Sequence, residues 1–354
     1  MIEPRVLVTG ATGMVGSAIV RALLKRKRSV RVLARNPERA RALFGASVSI
    51  AAGDLGAPAS LRQACDGIQD IYHAAAELGF RGGSGAEMHD TNVEGTRRLL
   101  GAAQASGVSR LVYTSSVAVY GDHLARGITE TAPANPSSAY GRSKAEAERL
   151  VHEARGSGLR CVIVRPCIVY GADDRYFVPQ TVSTMRLPVI PLPDGGRHVV
   201  DLVHADDVAA AHLLVMEGGQ AGGAYNVTDG GCYRLRELIG WMSGALDRSP
   251  WCPSISPWVA RRAVPWVRMA GRLARIPEMA SLQPQDVDVF LSDYHFDIAK
   301  ITALGYAPRL QAVTEFPRVL RECARRQRPT WSGSPAPETQ ADWGSCAERG
   351  VAPR

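Results

Sequence analysis

The chain has 354 residues, 45% of them hydrophobic, and a formal net charge of +8. That is enough apolar chain for one large or two modest packed domains, which excludes a disordered protein, and no run of 18 apolar residues predicts a membrane span. Seven scattered cysteines without a C-x-x-C pair argue against structural zinc and a disulfide framework. With a start that lacks the layout of a secretory signal, they lead to the expectation of a reducing, cytoplasmic setting. The positive charge gathers in Arg261, Arg262, Arg268, Arg272 and Arg275 and in "RECARRQRP" at 321–329. No aromatic-interleaved groove or DNA-binding motif accompanies it, so solvated faces are expected and a nucleic-acid partner is not.

In chain order, "RVLVTG" reads as a strand, followed by a helix to about Arg28. "SVRVLAR" is a second strand, "PERARALF" a helix opened by Pro37, "VSIAAGD" a third strand and "APASLRQAC" a helix. "DIYHAAA" is a fourth strand, 87–106 a long helix, "SRLVYTSS" a fifth strand, about 138–156 a helix, and "LRCVIVRP" a sixth strand. This alternation predicts an α/β fold: a Rossmann-type doubly wound parallel sheet, with a cofactor bound across the carboxyl ends of the strands. Past residue 171 the pattern loosens. The proline-rich "VPQTVSTMRLPVIPLPDGGRH" suits a substrate-facing excursion, and "VHADDVAAAHLLVMEG" a helix capped by its Asp pair. Segment 249–276 sets Trp251, Trp258 and Trp266 among arginines. From about 328 the Pro-, Ser- and Gly-rich chain is expected to be disordered. The expected division is a dinucleotide-binding core with the catalytic residues over 1–171, a smaller substrate-binding region with return elements over 172–327, and a tail over 328–354.

The loop after the first strand is "TGATGMVG", with Gly10, Gly13 and Gly16 at G-x-x-G-x-x-G spacing. At a strand-to-helix junction, absent side chains let the backbone approach a pyrophosphate, and the helix N-terminus offers free N–H groups and a positive dipole. Thr12, Met14 and Val15 of the same loop belong to the predicted cofactor cradle. The second strand ends in Arg35, where an NAD-binding fold places a carboxylate for the ribose hydroxyls. A guanidinium there grips a 2′-phosphate, with Arg39 one turn into the next helix as its assistant, so NADP(H) is predicted over NAD(H). Asp54, after the third strand, is placed for the adenine amino group, with Leu55 beside it.

"SSAYGRSKAEAERL" holds Tyr140 and Lys144 four residues apart, on adjacent turns of one helix face. A free phenol, with a pKa near ~10, is a poor base. A fixed ammonium and an oxidised nicotinamide would lower it, so that Tyr140 exchanges a proton with a carbonyl or alcohol oxygen while hydride moves at carbon. A hydroxyl to orient that oxygen is supplied by "VYTSSVAVYG", with Ser116 favoured and Ser115 the alternative. His73, His198, His204 and His212 lack ligand spacing, so no metal is expected.

Taken together, TGATGMVG (9–16), GDL (53–55), HAAA (73–76), NVEGT (92–96), YTSSVAVYG (113–121), YGRSK (140–144) and RPCIVYG (165–171) resemble the extended short-chain dehydrogenases/reductases, the epimerase–dehydratase superfamily. The likeness covers about 5–325. It implies Ser116, Tyr140 and Lys144 as catalytic triad, Ala74, Ala75 and Thr114 along the cofactor channel, Asn92 supporting the active-site helix, and Pro166 and Ile168 flanking the nicotinamide amide. It also implies a homodimer through helices 87–106 and 138–156. Nucleotide-sugar members carry an arginine where Val200 stands before Asp201, with Arg197 the only near substitute. "DLVHADDVAAAH" and "HFDIAKITALGYAPR" are instead similar to 3β-hydroxysteroid dehydrogenases and dihydroflavonol-reductase-like enzymes. The resemblance therefore implies a ketone/alcohol oxidoreductase acting on a hydrophobic small molecule: a sterol or terpenoid, a polyketide, or a flavonoid-like ketone. The alternative is a nucleotide-sugar epimerase, dehydratase or 4-ketoreductase, against which Val117 replaces the acid pair usual after a dehydratase's serine. Segment 249–276 falls where steroid-active relatives carry an apolar lid or membrane-facing helix. Packing of its tryptophans on the core is the other expectation.

Overall fold

The structure, a computed structural model, describes residues 5–78, 85–122, 126–274, 276–280 and 291–327. The 328–354 tail lies outside the described residues.

Seven parallel strands form the central sheet: β1 (Val6–Thr9), β2 (Val30–Ala34), β3 (Ser49–Ala52), β4 (Asp70–His73), β5 (Arg110–Thr114), β6 (Arg160–Pro166) and, much later in the chain, β11 (Ala224–Val227). Their order is β3-β2-β1-β4-β5-β6-β11. β1 pairs β2 from Val6↔Val30 to Thr9↔Leu33 and β4 from Val6↔Asp70 to Thr9↔His73. The chain thus reverses direction of travel beside β1, and the loops after β1 and β4 open the crevice there. Each of the two buried clusters lies on one face of this sheet. One joins Val8, Val32 and Val112 to helices α1 (Met14–Lys25) and α8 (Ala205–Gly218). The other joins Leu7, Ile71, Leu111 and Ile163 to α3 (Pro58–Cys65), α5 (Gly95–Ala105) and α6 (Ala139–Glu153). Alternate residues of a strand point to opposite faces, so one valine-rich register builds both layers.

Helices start where the chain supplies a stop to extended backbone. α2 (Pro37–Phe44) carries Pro37 in its first turn, behind Asn36, whose side chain accepts from the Arg39 N–H. The predicted 87–106 helix is not uniform. It is α4 (Gly85–His89), a π turn over Asp90–Glu94, and then α5.

Three further expectations change. The proline-rich 178–198 is not wholly an excursion: α7 (Phe177–Thr184) buries Val178 and Val182. These join a third cluster with α9 (Leu235–Leu246) and the last helix, Ala312–Arg326, which contributes Phe316 and Leu320. α8 is capped not by its aspartates but by His204, whose Nδ1 accepts from the Asp206 N–H at 3.1 Å. Asp207 turns away and accepts from the backbone N–H groups of Arg309 and Leu310. Segment 249–276 does not pack its tryptophans on the core. α10 (Pro257–Ala274) buries only Ala260, Val264 and Gly271, while Trp251, Trp258 and Trp266 stay 69%, 64% and 69% exposed. Short two- and three-residue strands complete the smaller region: β7 (Ile168–Tyr170), β8 (Leu192–Pro193), β9 (Val199–Val200), β10 (Leu202–His204), β12 (Tyr233–Arg234) and β13 (Ser254–Ile255). No helix among the described residues is long and apolar enough to cross a membrane.

Candidate active site

The glycine loop runs from the end of β1 into α1. Gly10 has φ +68°, and a Cβ there would sit 2.5 Å from the Ala75 nitrogen; a Cβ on Gly16 would overlap the Gly10 carbonyl. Only glycine fits either place, so the loop lies tight against the Ala74–Ala75 strand end. Gly13 is the N-cap of α1 with no side-chain cap and no acidic residue in the first turn. That leaves the first N–H groups and the positive helix end for an anionic ligand. Thr12, Met14 and Val15 are half-buried around this cradle, and the cradle fits a dinucleotide pyrophosphate.

At the rim, Arg35 is 76% exposed and holds Nε 3.8 Å from Asp54 Oδ2. Asp54, predicted for an adenine contact, thus faces Arg35, and its other oxygen accepts from Gly56 N–H at 2.6 Å. Arg39 bends back to donate to the Thr12 carbonyl at 3.3 Å, which puts a second guanidinium on the loop. Leu55 is buried beneath the π turn and α5.

The strand ends below the loop are joined by two buried histidines. His73 Nδ1 lies 2.7 Å from Thr9 Oγ1 and Nε2 lies 2.9 Å from Thr96 Oγ1. Thr96 donates to the Asn92 carbonyl at 2.6 Å, so its oxygen accepts from His73 Nε2–H and Thr9 donates to Nδ1. His212 Nδ1–H donates to the Val208 carbonyl at 2.8 Å, leaving Nε2 to accept from Thr114 Oγ1 at 2.8 Å. Burial holds both rings neutral, His73 at about 3 and His212 at about 4.

Tyr140 and Lys144 stand on α6, whose N-cap Ser138 accepts from Gly141 N–H at 3.0 Å. Ser116 is near enough to the Tyr140 hydroxyl to favour its ionised form, and its own side chain accepts from Ala118 N–H at the head of a short helical turn. Ser115 points elsewhere: its N–H pairs with Val164, and its buried hydroxyl has no partner among the described residues. Lys144 is 2% exposed. Its Nζ donates to the Thr114 carbonyl at 2.8 Å and lies 5.8 Å from the Tyr140 ring centre. Burial lowers Lys144 to about 7, against the raising effect of Glu148. It drives the Tyr140 phenol upward, against the lowering effect of Ser116. The sequence expects the phenol to be lowered by the ammonium together with an oxidised nicotinamide; without the cofactor, burial raises Tyr140. Pro166 ends β6, buried, and Ile168 is half-buried on β7.

Residues that spacing did not mark hold this arrangement. Asn92, in the π turn, donates Nδ2–H to Ser143 Oγ at 2.9 Å and to the Glu77 carbonyl at 2.9 Å, and accepts from the Glu77 N–H at 2.7 Å. One turn beyond Lys144, Glu148 takes a bidentate pair from Arg165 at 2.9 and 2.6 Å. Arg165 also donates to Tyr120 Oη at 2.8 Å, which donates to Asn226 at 2.8 Å. This buried chain fixes α6 to β6 and β11. Its carboxylate and guanidinium lie far apart in sequence, with no local pattern to announce them.

Residues 6–228 match the model of the NAD dependent epimerase/dehydratase family. The chain belongs to that family. It is 35% identical over 238 residues to the 4-hydroxy-2-methyl-3-oxo-4-farnesyl-3,4-dihydroquinoline-1-oxide ketoreductase of Stigmatella aurantiaca, covering 66% of this chain and 71% of that one. It is 32% identical to the 3 beta-hydroxysteroid dehydrogenase/Delta 5-->4-isomerase of Mycobacterium tuberculosis, over 88% of this chain and 89% of the other. The structure of DesIV, a dTDP-glucose 4,6-dehydratase from Streptomyces venezuelae with NAD and TYD bound, superposes with TM-score 0.73 at 27% identity, over 92% of this chain and 98% of that one. As a member of the epimerase/dehydratase family the chain is a nicotinamide-dependent oxidoreductase of the short-chain dehydrogenase/reductase type.

Proposed function

We propose that the protein is an NADP(H)-dependent ketoreductase/alcohol dehydrogenase for a hydrophobic small molecule such as a sterol, terpenoid, polyketide or flavonoid-like ketone. The observation that carries the reading is a buried Lys144 held by the Thr114 carbonyl, with Tyr140 one turn before it on α6 and Ser116 just past the carboxyl end of β5. Bound nicotinamide supplies the hydride. Ser116 orients the substrate oxygen. Tyr140, its phenol kept protonated by burial, is suited to give a proton to a ketone oxygen. Lys144, held by the Thr114 carbonyl, provides a remaining N–H donor for the nicotinamide ribose. Ketoreductase and hydroxysteroid dehydrogenase relatives support the substrate class, and Arg35 with Arg39 supports the 2′-phosphate. Converting Tyr140 to Phe is expected to lower kcat for ketone reduction by at least about a hundredfold with the NADPH dissociation constant unchanged. Retained turnover overturns the assignment.

A second reading has one observation in its favour. Arg126, Arg197, His198, Arg234 and Arg236 line a cup of about 530 Å³ in the smaller region, and such a surface suits an anionic portion of a substrate. Turnover of a nucleotide-sugar, with no turnover of apolar ketones, decides for it. In the first reading the exposed stripe of α10 meets an anionic membrane surface that stores an apolar substrate, and the chain works as a homodimer through α5 and α6.

A further inference from the structure

β12 and β9 pair antiparallel, Tyr233 opposite Val200. On the other edge of the same residue, Val200 bridges Tyr294 in parallel. Asp201 N–H donates to the Tyr294 carbonyl, and Tyr294 N–H to Val199. Stepping each register by one residue sets Cys232 opposite Asp201 on one side and His295 beside it on the other. Successive side chains alternate across a sheet, and directly opposed Cβ atoms sit about 4.5–5.5 Å apart. A thiol, a carboxylate and an imidazole therefore stand in a row on one face. The side chains converge as this register requires: one ligand atom from each lies within 4.8 Å of the other two. His295 Nδ1 is 3.0 and 3.2 Å from the two Asp201 oxygens. The Phe296 N–H donates to Asp201 Oδ2 at 2.8 Å, which aims the other oxygen at the shared space. Asp201 is fully buried, His295 half-buried and Cys232 exposed, so the row has a floor and an open side.

We infer that Asp201, Cys232 and His295 form a binding site for a zinc-class divalent ion, with its fourth position open to solvent. One sulfur, one nitrogen and one oxygen are the ligand types of zinc, and three protein ligands plus an open position is a recurrent zinc arrangement. Tetrahedral bonds of about 2.0–2.3 Å need ligand atoms roughly 3.3–3.8 Å apart, within small side-chain movements of the observed spacing. Binding releases the thiol proton, and the imidazole proton sits on Nε2 so that Nδ1 faces the ion. Arg126 of the cup is already paired with Asp293 at 2.9 Å, so its charge is offset. The ion would clip the residue just before β12 and the segment carrying His295 to Asp201, between β9 and β10. Spacing along the chain marks no metal at His73, His198, His204 or His212; this rung is visible only once the strands are paired.

The experiment uses the full chain, untagged, reduced and stripped of metal with a chelator, and titrates it anaerobically with Co²⁺. The expected result is a saturable near-ultraviolet thiolate-to-cobalt absorption that Zn²⁺ abolishes by displacement. Cys232→Ser should lose that band, His295→Gln should weaken Co²⁺ binding by at least about tenfold, and Cys323→Ser should leave both unchanged. Circular dichroism confirms that each variant is folded. As a second measurement on wild type, saturating Zn²⁺ should slow modification of Cys232 by a thiol reagent, read by peptide mass spectrometry. Absence of the band in wild type, or its persistence in Cys232→Ser, overturns the site and leaves the Asp201–His295 contact as an ordinary hydrogen bond.

Discussion

At the scale of single residues, the proposed cofactor preference rests on Arg35, just past the end of β2. Arg35 is exposed, and its one ion-pair partner among the described residues, Asp54, is at 3.8 Å and itself half-exposed. A pair that open and that long contributes about 0–1 kcal/mol, so Arg35 is cheaply released to a 2′-phosphate. Arg39 already reaches the glycine loop at Thr12. A charge-assisted bidentate contact is worth about 1.5–3 kcal/mol, roughly a ten- to hundredfold change in affinity. Arg35→Ala is therefore expected to weaken NADPH binding by that factor and to change NADH binding little, as read by fluorescence titration of both cofactors. Equal loss for the two, or a wild-type preference for NADH, sinks the 2′-phosphate role. The same scale explains why Tyr140 and Lys144 could be found in the sequence while their protonation could not. A four-residue interval places two side chains on one helix face whatever surrounds them. The burial that lowers Lys144 is set by packing against Tyr113 and Thr114, which β5 brings from elsewhere in the chain.

At the scale of elements, α10 is the helix whose sequence and surroundings conflict most. Trp258, Trp266, Met269 and Leu273, at intervals of eight, three and four, form one apolar stripe, and all four are exposed. Arg261, Arg268 and Arg272 run along its edge, and Arg262 stacks on the Trp258 ring at 4.8 Å. No acidic residue lies between Arg248 and Pro277. A stripe of tryptophan and leucine flanked by arginine matches the lipid–water boundary, where rings sit among headgroups and guanidiniums meet phosphate. The full chain is expected to sediment with vesicles containing phosphatidylglycerol and far less with phosphatidylcholine alone. The difference should shrink at high salt and disappear in a Trp258→Ser, Trp266→Ser, Leu273→Ser variant. If wild type ignores both vesicles while the triple variant raises KM for an apolar ketone, the stripe is a substrate lid instead. The order of elements was largely legible, because β-branched runs alternating with apolar residues at helical spacing can build only a wound parallel sheet. What stayed hidden needed tertiary pairing. The resemblance implies Asn92, but not the π turn at Asp90–Glu94 that aims it at Ser143, nor the Glu148–Arg165 pair that ties α6 to β6. Neither has a local signature.

At the scale of the whole molecule, the crevice floor is built at a cost in folding stability that depends on pH. Lys144 has an ordinary value of 10.5 and is lowered by burial to about 7. It faces Glu148 on its own helix and the rings of Tyr113 and Tyr140. Between those two values the unfolded chain carries a proton there that the folded chain sheds. Unfolding free energy therefore rises with pH across that window, by up to about 1.4 kcal/mol per pH unit from this group, and the contribution is lost as pH falls toward 7. Below about 6.5, His73 and His212 repeat the pattern, since folded rings held to about 3 and 4 refuse protons that the unfolded chain accepts. Opposing this at the alkaline end, burial raises the thiols of Cys65 and Cys161 to about 11 and 12 and that of Cys167 as well. The folded chain keeps those protons where the unfolded chain loses them, which lowers stability above about pH 9. A difference measurement separates the two trends. In urea unfolding of the cofactor-free chain between pH 7.5 and 9.5, the gap between wild type and Lys144→Met should change steadily, wild type gaining on the variant as pH rises. The cysteines and histidines are common to both proteins and cancel. A gap that is flat with pH would mean that the folded protein keeps Lys144 fully charged, and that the Thr114 carbonyl and Glu148 outweigh its burial.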